Sequence, residues 1–213
     1  MSPDFTETFA RSEKKAFDGQ PLRLTDAGIW LAMPLDVLGA AFEKLHATGF
    51  WARLGERGKV LDAGMGDGRV VAALCNVGHD LWAYGIESHP RLWELAENNL
   101  RTLTERGMAS SWRICQGDYL DVSTYPKLGV RLEDIDAFFN YPDGNEHELA
   151  ALLSVHGRAG AILVFVTAEH GIELEGLTLE DELTIDRAPG VPEFRLVLYR
   201  VDRRAGDSGS RMP

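Results

Sequence analysis

Val60-Leu61-Asp62-Ala63-Gly64-Met65-Gly66-Asp67-Gly68 joins a short β-prone run to a helix through alternate glycines, with an acid at the end of the run. Glycine there accepts unusual dihedrals and lets the backbone approach a ligand with no Cβ in the way. The helix beyond offers unpaired N–H groups at its first turn. Two familiar phosphate loops do not fit. A nicotinamide loop needs G-x-G-x-x-G, but the sixth residue counted from Gly64 is Arg69. No G-x-x-x-x-G-K-[ST] string occurs either.

Strands and helices alternate outward from this segment. Lys59–Asp62 reads as a strand, and Arg69 to Val77 as a helix with Val70, Val71, Leu74 and Val77 on one face. Leu81–Glu87 is the second strand. A helix over Pro90 to Glu105 follows, with Pro90 suited to its first turn and Gly107 to its stop. Trp112–Cys115, Ile135–Phe139 and Ala161–Val166 are further strands, with a helix over Glu146–His156 before the last. Such alternation implies crossovers and a parallel sheet. Leu183–Asp186 and Phe194–Tyr199 have no helix between them, so the sheet should end in an antiparallel hairpin. Before the first strand, the apolar positions from Ala27 to Phe50 suit helical packing interrupted at Pro34. Phe5, Phe9 and Phe17 are spaced for docking. This organisation gives an N-terminal helical extension over 1–55, a ligand-binding core over 56–204 and a flexible tail over 205–213.

Composition narrows the class. The chain has 213 residues, 22 basic and 33 acidic side chains, and a formal charge of −11. That balance argues against binding long nucleic acid by phosphate neutralisation. Hydrophobic residues at 45% and charged residues at 26% are globular proportions. Cys75 and Cys115 form no CxxC pair, which leaves neither a disulfide framework nor a cysteine zinc site. No stretch reaches the length of a membrane span, and Met1–Glu7 lacks the features of a signal peptide. The expectation is a cytoplasmic protein with no membrane partner. Nothing in the chain specifies an oligomeric state.

The D-x-G-x-G-x-G string of Asp62 to Gly68 resembles the first motif of the class I S-adenosylmethionine (SAM)-dependent methyltransferases. SAM has no pyrophosphate to cradle. It carries a sulfonium, an ammonium and a carboxylate, which makes an acid at the loop entrance useful. Glu87 ends the second strand, 19 residues past Gly68, where a carboxylate can take both ribose hydroxyls of an adenosyl group. Asp118 follows the third strand in Gln116-Gly117-Asp118-Tyr119. In this family an acid there faces the exocyclic amine of adenine, and Tyr119 or its neighbour can flank the ring. The resemblance spans about Lys59 to Val166 and includes the reversed last strand. It implies a single-domain α/β, Rossmann-like three-layer sandwich with a mostly parallel seven-stranded sheet. It further implies SAM as cofactor, held by Asp62, Gly64, Met65, Gly66, Gly68, Glu87, Ser88, Asp118, Tyr119 and Asn140.

The acceptor side is carried by Asn140-Tyr141-Pro142-Asp143 after the fourth strand. Amine methyltransferases often have an Asn or Asp, two prolines and an aromatic residue here. This chain keeps Asn140 and Pro142, with Tyr141 at the first proline and Asp143 at the aromatic. The string is also similar to the Phe-Pro-Asp segment of tRNA guanine-N7 methyltransferases. Their downstream basic cluster is replaced by Glu146-His147-Glu148. Gly66-Asp67-Gly68-Arg69, Tyr141-Pro142 and Leu198-Tyr199-Arg200 resemble small lysine-methyltransferase-like proteins. The resemblance implies methyl transfer to a small molecule or protein, at an amine nitrogen, with Asn140, Tyr141 and Asp143 as catalytic candidates. The alternatives are a SAM-binding regulatory protein without turnover and a metal-assisted O-methyltransferase drawing on Asn140, Asp143, Glu169 and His170. The remaining histidines have no HExxH spacing, and no metal is assigned. The N-terminal segment, with Trp30, Met33 and Trp51, reads either as a lid over the site or as a core-burying helix.

Overall fold

The docking role of Phe5 and Phe9 has a structural basis in α1 (Pro3–Ala16), a helix that places both rings on one buried face. In this computed structural model, residues 2–16, 22–25, 28–185 and 193–202 are described. Phe17, the 187–192 connection and the 205–213 tail lie outside them.

The segment after α1 departs from the helical expectation. β1 (Leu22–Thr25) and β2 (Gly28–Leu31) pair antiparallel, and only then does α2 (Leu35–Ala47) begin. Proline disfavours helical backbone in the residue before it, so helix cannot run smoothly through Pro34. Pro34 instead flanks α2, and its carbonyl accepts from the Leu38 N–H at 2.9 Å. α2 buries Val37, Leu38, Ala41 and Leu45, and α3 (Phe50–Arg53) buries Phe50 and Trp51.

The alternating region follows its hydrophobic pattern closely. In order come β3 (Gly58–Ala63), α4 (Arg69–Leu74), β4 (Leu81–Glu87), α5 (Pro90–Glu105) and β5 (Trp112–Gln116). Two 3₁₀ turns precede β6 (Ala137–Asn140), α6 (Glu146–His156) and β7 (Ile162–Thr167). α4 stops short of Val77 because the Asn76 amide turns back onto the Ala72 carbonyl at 2.9 Å, the local competition typical of Asn. β8 (Leu177–Ile185) and β9 (Phe194–Val201) complete the sheet as an antiparallel pair. β8 starts six residues earlier than the pattern from Leu183 indicates, because its exposed middle positions hide the alternation.

The seven strands stand in the order β5-β4-β3-β6-β7-β9-β8. All neighbours are parallel except β9, which is antiparallel to both β7 and β8. Successive side chains alternate between the two covered faces. Val60, Phe139, Val164 and Val166 join the core shared with α1, α2, α4 and α5. Leu61, Phe138, Leu163 and Phe165 join the core under α6 and the 3₁₀ turns. The order in which strands are added reverses where β3 meets β6, since β4 lies on one side of β3 and β6 on the other. A crevice opens at the carboxyl ends of the strands at such a switch point.

Candidate functional site

The loop between β3 and α4 forms the floor of this crevice. Its shape comes from backbone pairing with β4: the N–H groups of Gly64 and Met65 both donate to the Ile86 carbonyl, at 3.1 and 3.0 Å. Gly64 holds φ +76° and Gly68 φ +82°, a left-handed region costly for residues with a Cβ. At Gly68 a Cβ would also come within 3.1 Å of the Ala96 methyl, so glycine here lets α5 pack close to the loop. Glu87 completes the clamp. One carboxylate oxygen accepts from the Gly66 N–H at 2.8 Å, and the other from the His89 N–H at 2.8 Å.

Four acids line the cleft, Asp62, Asp67, Glu87 and Asp143, and of these Asp67 is paired with Arg69. Asp62 is 3% exposed, and its Oδ2 has no hydrogen-bond partner among the described residues. Burial raises its carboxyl well above the ordinary range, and the nearby Glu87 and Asp67 push it further. Burial likewise raises Glu87 to about 7, against the N–H groups of His89 and Gly66, which favour the ionised form. Asp143 is also raised, chiefly by burial, although it accepts from the Tyr119 hydroxyl at 2.7 Å. Tyr119 is raised in turn by burial and by Asp143.

The guanidinium at the cleft does not neutralise these acids, because its own partners occupy it. Arg69 donates to both oxygens of Asp67 at 2.9 and 2.7 Å, to Glu13 at 2.9 Å and to the Met33 carbonyl. Asp67 also accepts from Ser12 Oγ at 2.8 Å, and Asn99 bridges Ser12 and the Asp67 carbonyl. Arg69 lies over the Phe9 ring at 5.7 Å as well. α1 is thus tied to the glycine loop through a buried charged network. None of its members was among the candidate site residues. The only signal was the string Gly66-Asp67-Gly68-Arg69, whose partners Ser12 and Glu13 lie more than fifty residues earlier in the chain and Asn99 thirty-two residues after Asp67.

Not every candidate reaches the cleft. Asp62, Gly64, Met65, Gly66, Glu87, Ser88, Tyr119, Tyr141 and Asp143 line it. Asp118 does not; it is exposed and accepts from the Leu120 N–H at 2.8 Å. Gly68 shapes the helix start behind the floor. Asn140 is 2% exposed, with its amide donating to the Ala63 carbonyl at 2.9 Å and its Oδ1 without a partner among the described residues. The N-terminal segment contributes Leu31, Ala32 and Met33 to the cleft wall. Trp51 is a core residue, stacked on Phe139 with ring centroids 6.1 Å apart. The side chain of Trp30 lies outside the described residues.

The oxygen-rich set weighed for a metal does not converge. Asp143 turns to Tyr119 and Asn145, while His170 pairs with Glu182 at 2.7 Å. Among the described residues no three His, Cys, Asp or Glu side chains gather as a metal site would require. No described helix is long and apolar enough to cross a membrane.

No protein-family model and no curated protein matches this chain. Solved structures do. An RNA methyltransferase from Salinibacter ruber, in complex with S-adenosyl-L-homocysteine, aligns at 18% identity over 83% of this chain and 97% of its own, with a TM-score of 0.58. MtNAS in complex with S-adenosylmethionine aligns at 11% identity over 93% of this chain and 73% of its own, with a TM-score of 0.60. The protein described for conversion of a disulfide bond into a thioacetal group during echinomycin biosynthesis aligns at 19% identity over 92% of this chain and 93% of its own, with a TM-score of 0.54. At these identities the likeness establishes the fold: the Rossmann-like seven-stranded sheet with its antiparallel end.

Proposed function

We propose, from the methyltransferase fold that this chain has, that it binds S-adenosylmethionine in the crevice and transfers its methyl group to a small-molecule or protein acceptor, at an amine nitrogen. The observation that carries this reading is the convergence of Asp62, Glu87 and Asp143 on one cleft whose guanidinium is already committed to Asp67 and Glu13. Buried carboxylates held above their ordinary range are relieved by a cation. The orphaned Oδ2 of Asp62 fits an ammonium donor, and SAM brings an ammonium and a sulfonium together.

The bound cofactor would supply an electrophilic methyl carbon on a positively charged sulfur. Residues of the chain would do the rest by alignment, with no covalent enzyme intermediate. Asp62 would take the ammonium and Glu87 the ribose hydroxyls. Gly64 and Gly66 would give the backbone its approach, and Tyr119 would flank the adenine. Tyr141 and Asp143 would face the acceptor, with Asn140 supporting them from beneath. Leu31, Ala32 and Met33 would exclude water from the reacting atoms.

Titration calorimetry with SAM and NADH tests this reading. SAM is expected to bind, Glu87→Ala to weaken it greatly, and NADH to give no heat; binding of NADH without SAM would sink the proposal. A cofactor-binding protein without turnover is the second reading, favoured by Tyr141 where amine methyltransferases have proline. Labelled SAM with a broad acceptor panel separates the two, since methyl transfer lost in Asn140→Ala identifies the enzyme.

A further inference from the structure

Arg69 is held by more negative charge than its own charge balances. It donates to both oxygens of the buried Asp67, and that pair by itself would be neutral. α1 nevertheless brings Glu13 Oε1 to 2.9 Å from Arg69 Nη1, and the same nitrogen donates to the Met33 carbonyl in the cleft wall. Ser12 Oγ, one residue earlier in α1, donates to Asp67 Oδ2 at 2.8 Å. Two adjacent residues of α1 thus grip the two halves of one ion pair, and the trio Asp67, Arg69 and Glu13 carries one negative charge in excess.

That excess bears on the cleft. Asp62, Asp67, Glu87 and Asp143 line it, Arg69 is the single cation among its described lining residues, and no Lys or His joins them. Glu13 does not line the cleft. Its side chain is 42% exposed against 4% for Arg69, so it reaches the guanidinium from the partly solvated side and acts through it. A guanidinium with one partner fewer would be free to offset the remaining acids and to repel a cation entering beside them.

We infer that Glu13 is a positioning residue that sets the charge preference of the cofactor cleft. By occupying Nη1 it keeps Arg69 committed away from Asp62 and Glu87, and its own charge favours a cationic adenosyl ligand over the counterpart with a neutral sulfur. This inference rests on the methyl-transfer reading, in which SAM enters with a sulfonium charge and S-adenosylhomocysteine leaves without it. A cleft tuned in this direction holds the substrate more tightly than the product.

Calorimetry at low salt with SAM and S-adenosylhomocysteine, accompanied by thermal melts, tests the role of Glu13 without relying on turnover. Glu13→Gln keeps an oxygen for Arg69 to donate to and removes the charge. It should weaken SAM about fivefold and S-adenosylhomocysteine less than about twofold. The difference should shrink in about 1 M salt, where screening acts over a few ångströms. Glu13→Asp keeps the charge and should keep the preference of the unaltered protein. Ser12→Ala loosens α1 without changing a charge, so it should lower Tm and leave the ratio of the two affinities unchanged. Equal weakening of both ligands in Glu13→Gln, or weakening of neither, overturns the role of Glu13 and leaves the methyl-transfer reading standing. A ratio that falls as far in Ser12→Ala as in Glu13→Gln also overturns it, because the docking of α1 would then be the cause. Failure of both ligands to bind the unaltered protein overturns the methyl-transfer reading and the role of Glu13 with it.

Discussion

The Tyr119 hydroxyl donates to Asp143 Oδ2 at 2.7 Å and ties the loop after β5 to the loop after β6 beside Gly64. Because Asp143 also accepts from the Asn145 N–H, the two loops form one wall of the cleft. A hydrogen bond to a charged acceptor contributes about 1.5–3 kcal/mol when its groups are shielded, less where water reaches them. Tyr119→Phe keeps the ring and removes the donor. A double-mutant cycle with Asp143→Asn, read by urea denaturation, should give a coupling of about 1 kcal/mol. A coupling indistinguishable from zero would show that the two loops are held independently.

Gly64 tests the close approach. A methyl at this position would lie 3.4 Å from Asp143 Oδ2 and 3.5 Å from Tyr119 Cε1, which is ordinary contact. The cost of Gly64→Ala is then backbone strain at φ +76°, about 1 kcal/mol, which lowers Tm by roughly 2–4 °C in a chain of this size. The same methyl fills the gap between the loop and the Tyr119–Asp143 wall. SAM affinity should therefore fall at least tenfold while the protein stays folded, as calorimetry and thermal melts would read.

Glu87 makes stability and cofactor binding respond to pH in opposite directions. Its folded carboxyl titrates at about 7 instead of the ordinary 4.5, so between these values the folded chain holds a proton that the unfolded chain has released. Its contribution to stability is present below pH 4.5 and is lost as pH rises through 7, by an amount on the order of 3 kcal/mol. Asp62 acts with the same sign. Thermal melts of the ligand-free protein should fall as pH rises from about 4.5 to about 7 and level off above, with Glu87→Gln reducing the slope. SAM binding needs the ionised carboxylate and should strengthen over the same interval. A flat affinity from pH 6 to 8 would exclude Glu87 from the cofactor contact.

Arg69 and Asp67 are 3% and 2% exposed, so removing one leaves the other charged and buried. Breaking such a pair costs about 3–5 kcal/mol. Arg69→Met should approach that figure in chemical denaturation. Ser12→Ala removes one hydrogen bond to Asp67 and should cost about 1 kcal/mol. Both should raise hydrogen exchange in α1, because Ser12 and Glu13 join that helix to the loop. Unchanged exchange in α1 would show that its packing through Phe5 and Phe9 suffices.

Local signals carried the alternating part of the fold. Glycine spacing, the carboxylates closing Leu61-Asp62 and Ile86-Glu87, and a strand pair with no helix between it depend on neighbours a few residues apart. A parallel sheet must place those acids along one edge. The β1–β2 hairpin was less legible, because its four-residue strands sit in apolar spacing that also suits a helix. Asp118 is instructive in the same way. Its position after the third strand was readable, but its outward turn depends on the Leu120 N–H it caps.

By itself, the sequence determined the order of strands and helices from Lys59 onward, the reversal at the end of the sheet and the acids at its strand ends. Periodicity and turn chemistry act over a few residues and leave a trace in composition. Tertiary structure decided which of these groups meet. Ser12, Glu13, Asp67, Arg69 and Asn99 form one network, Tyr119 and Asp143 close one wall, and His170 meets Glu182 across the turn into β8. Each depends on side chains brought together by packing of separate elements, and burial raises the carboxyls of the cleft only after that packing has excluded water.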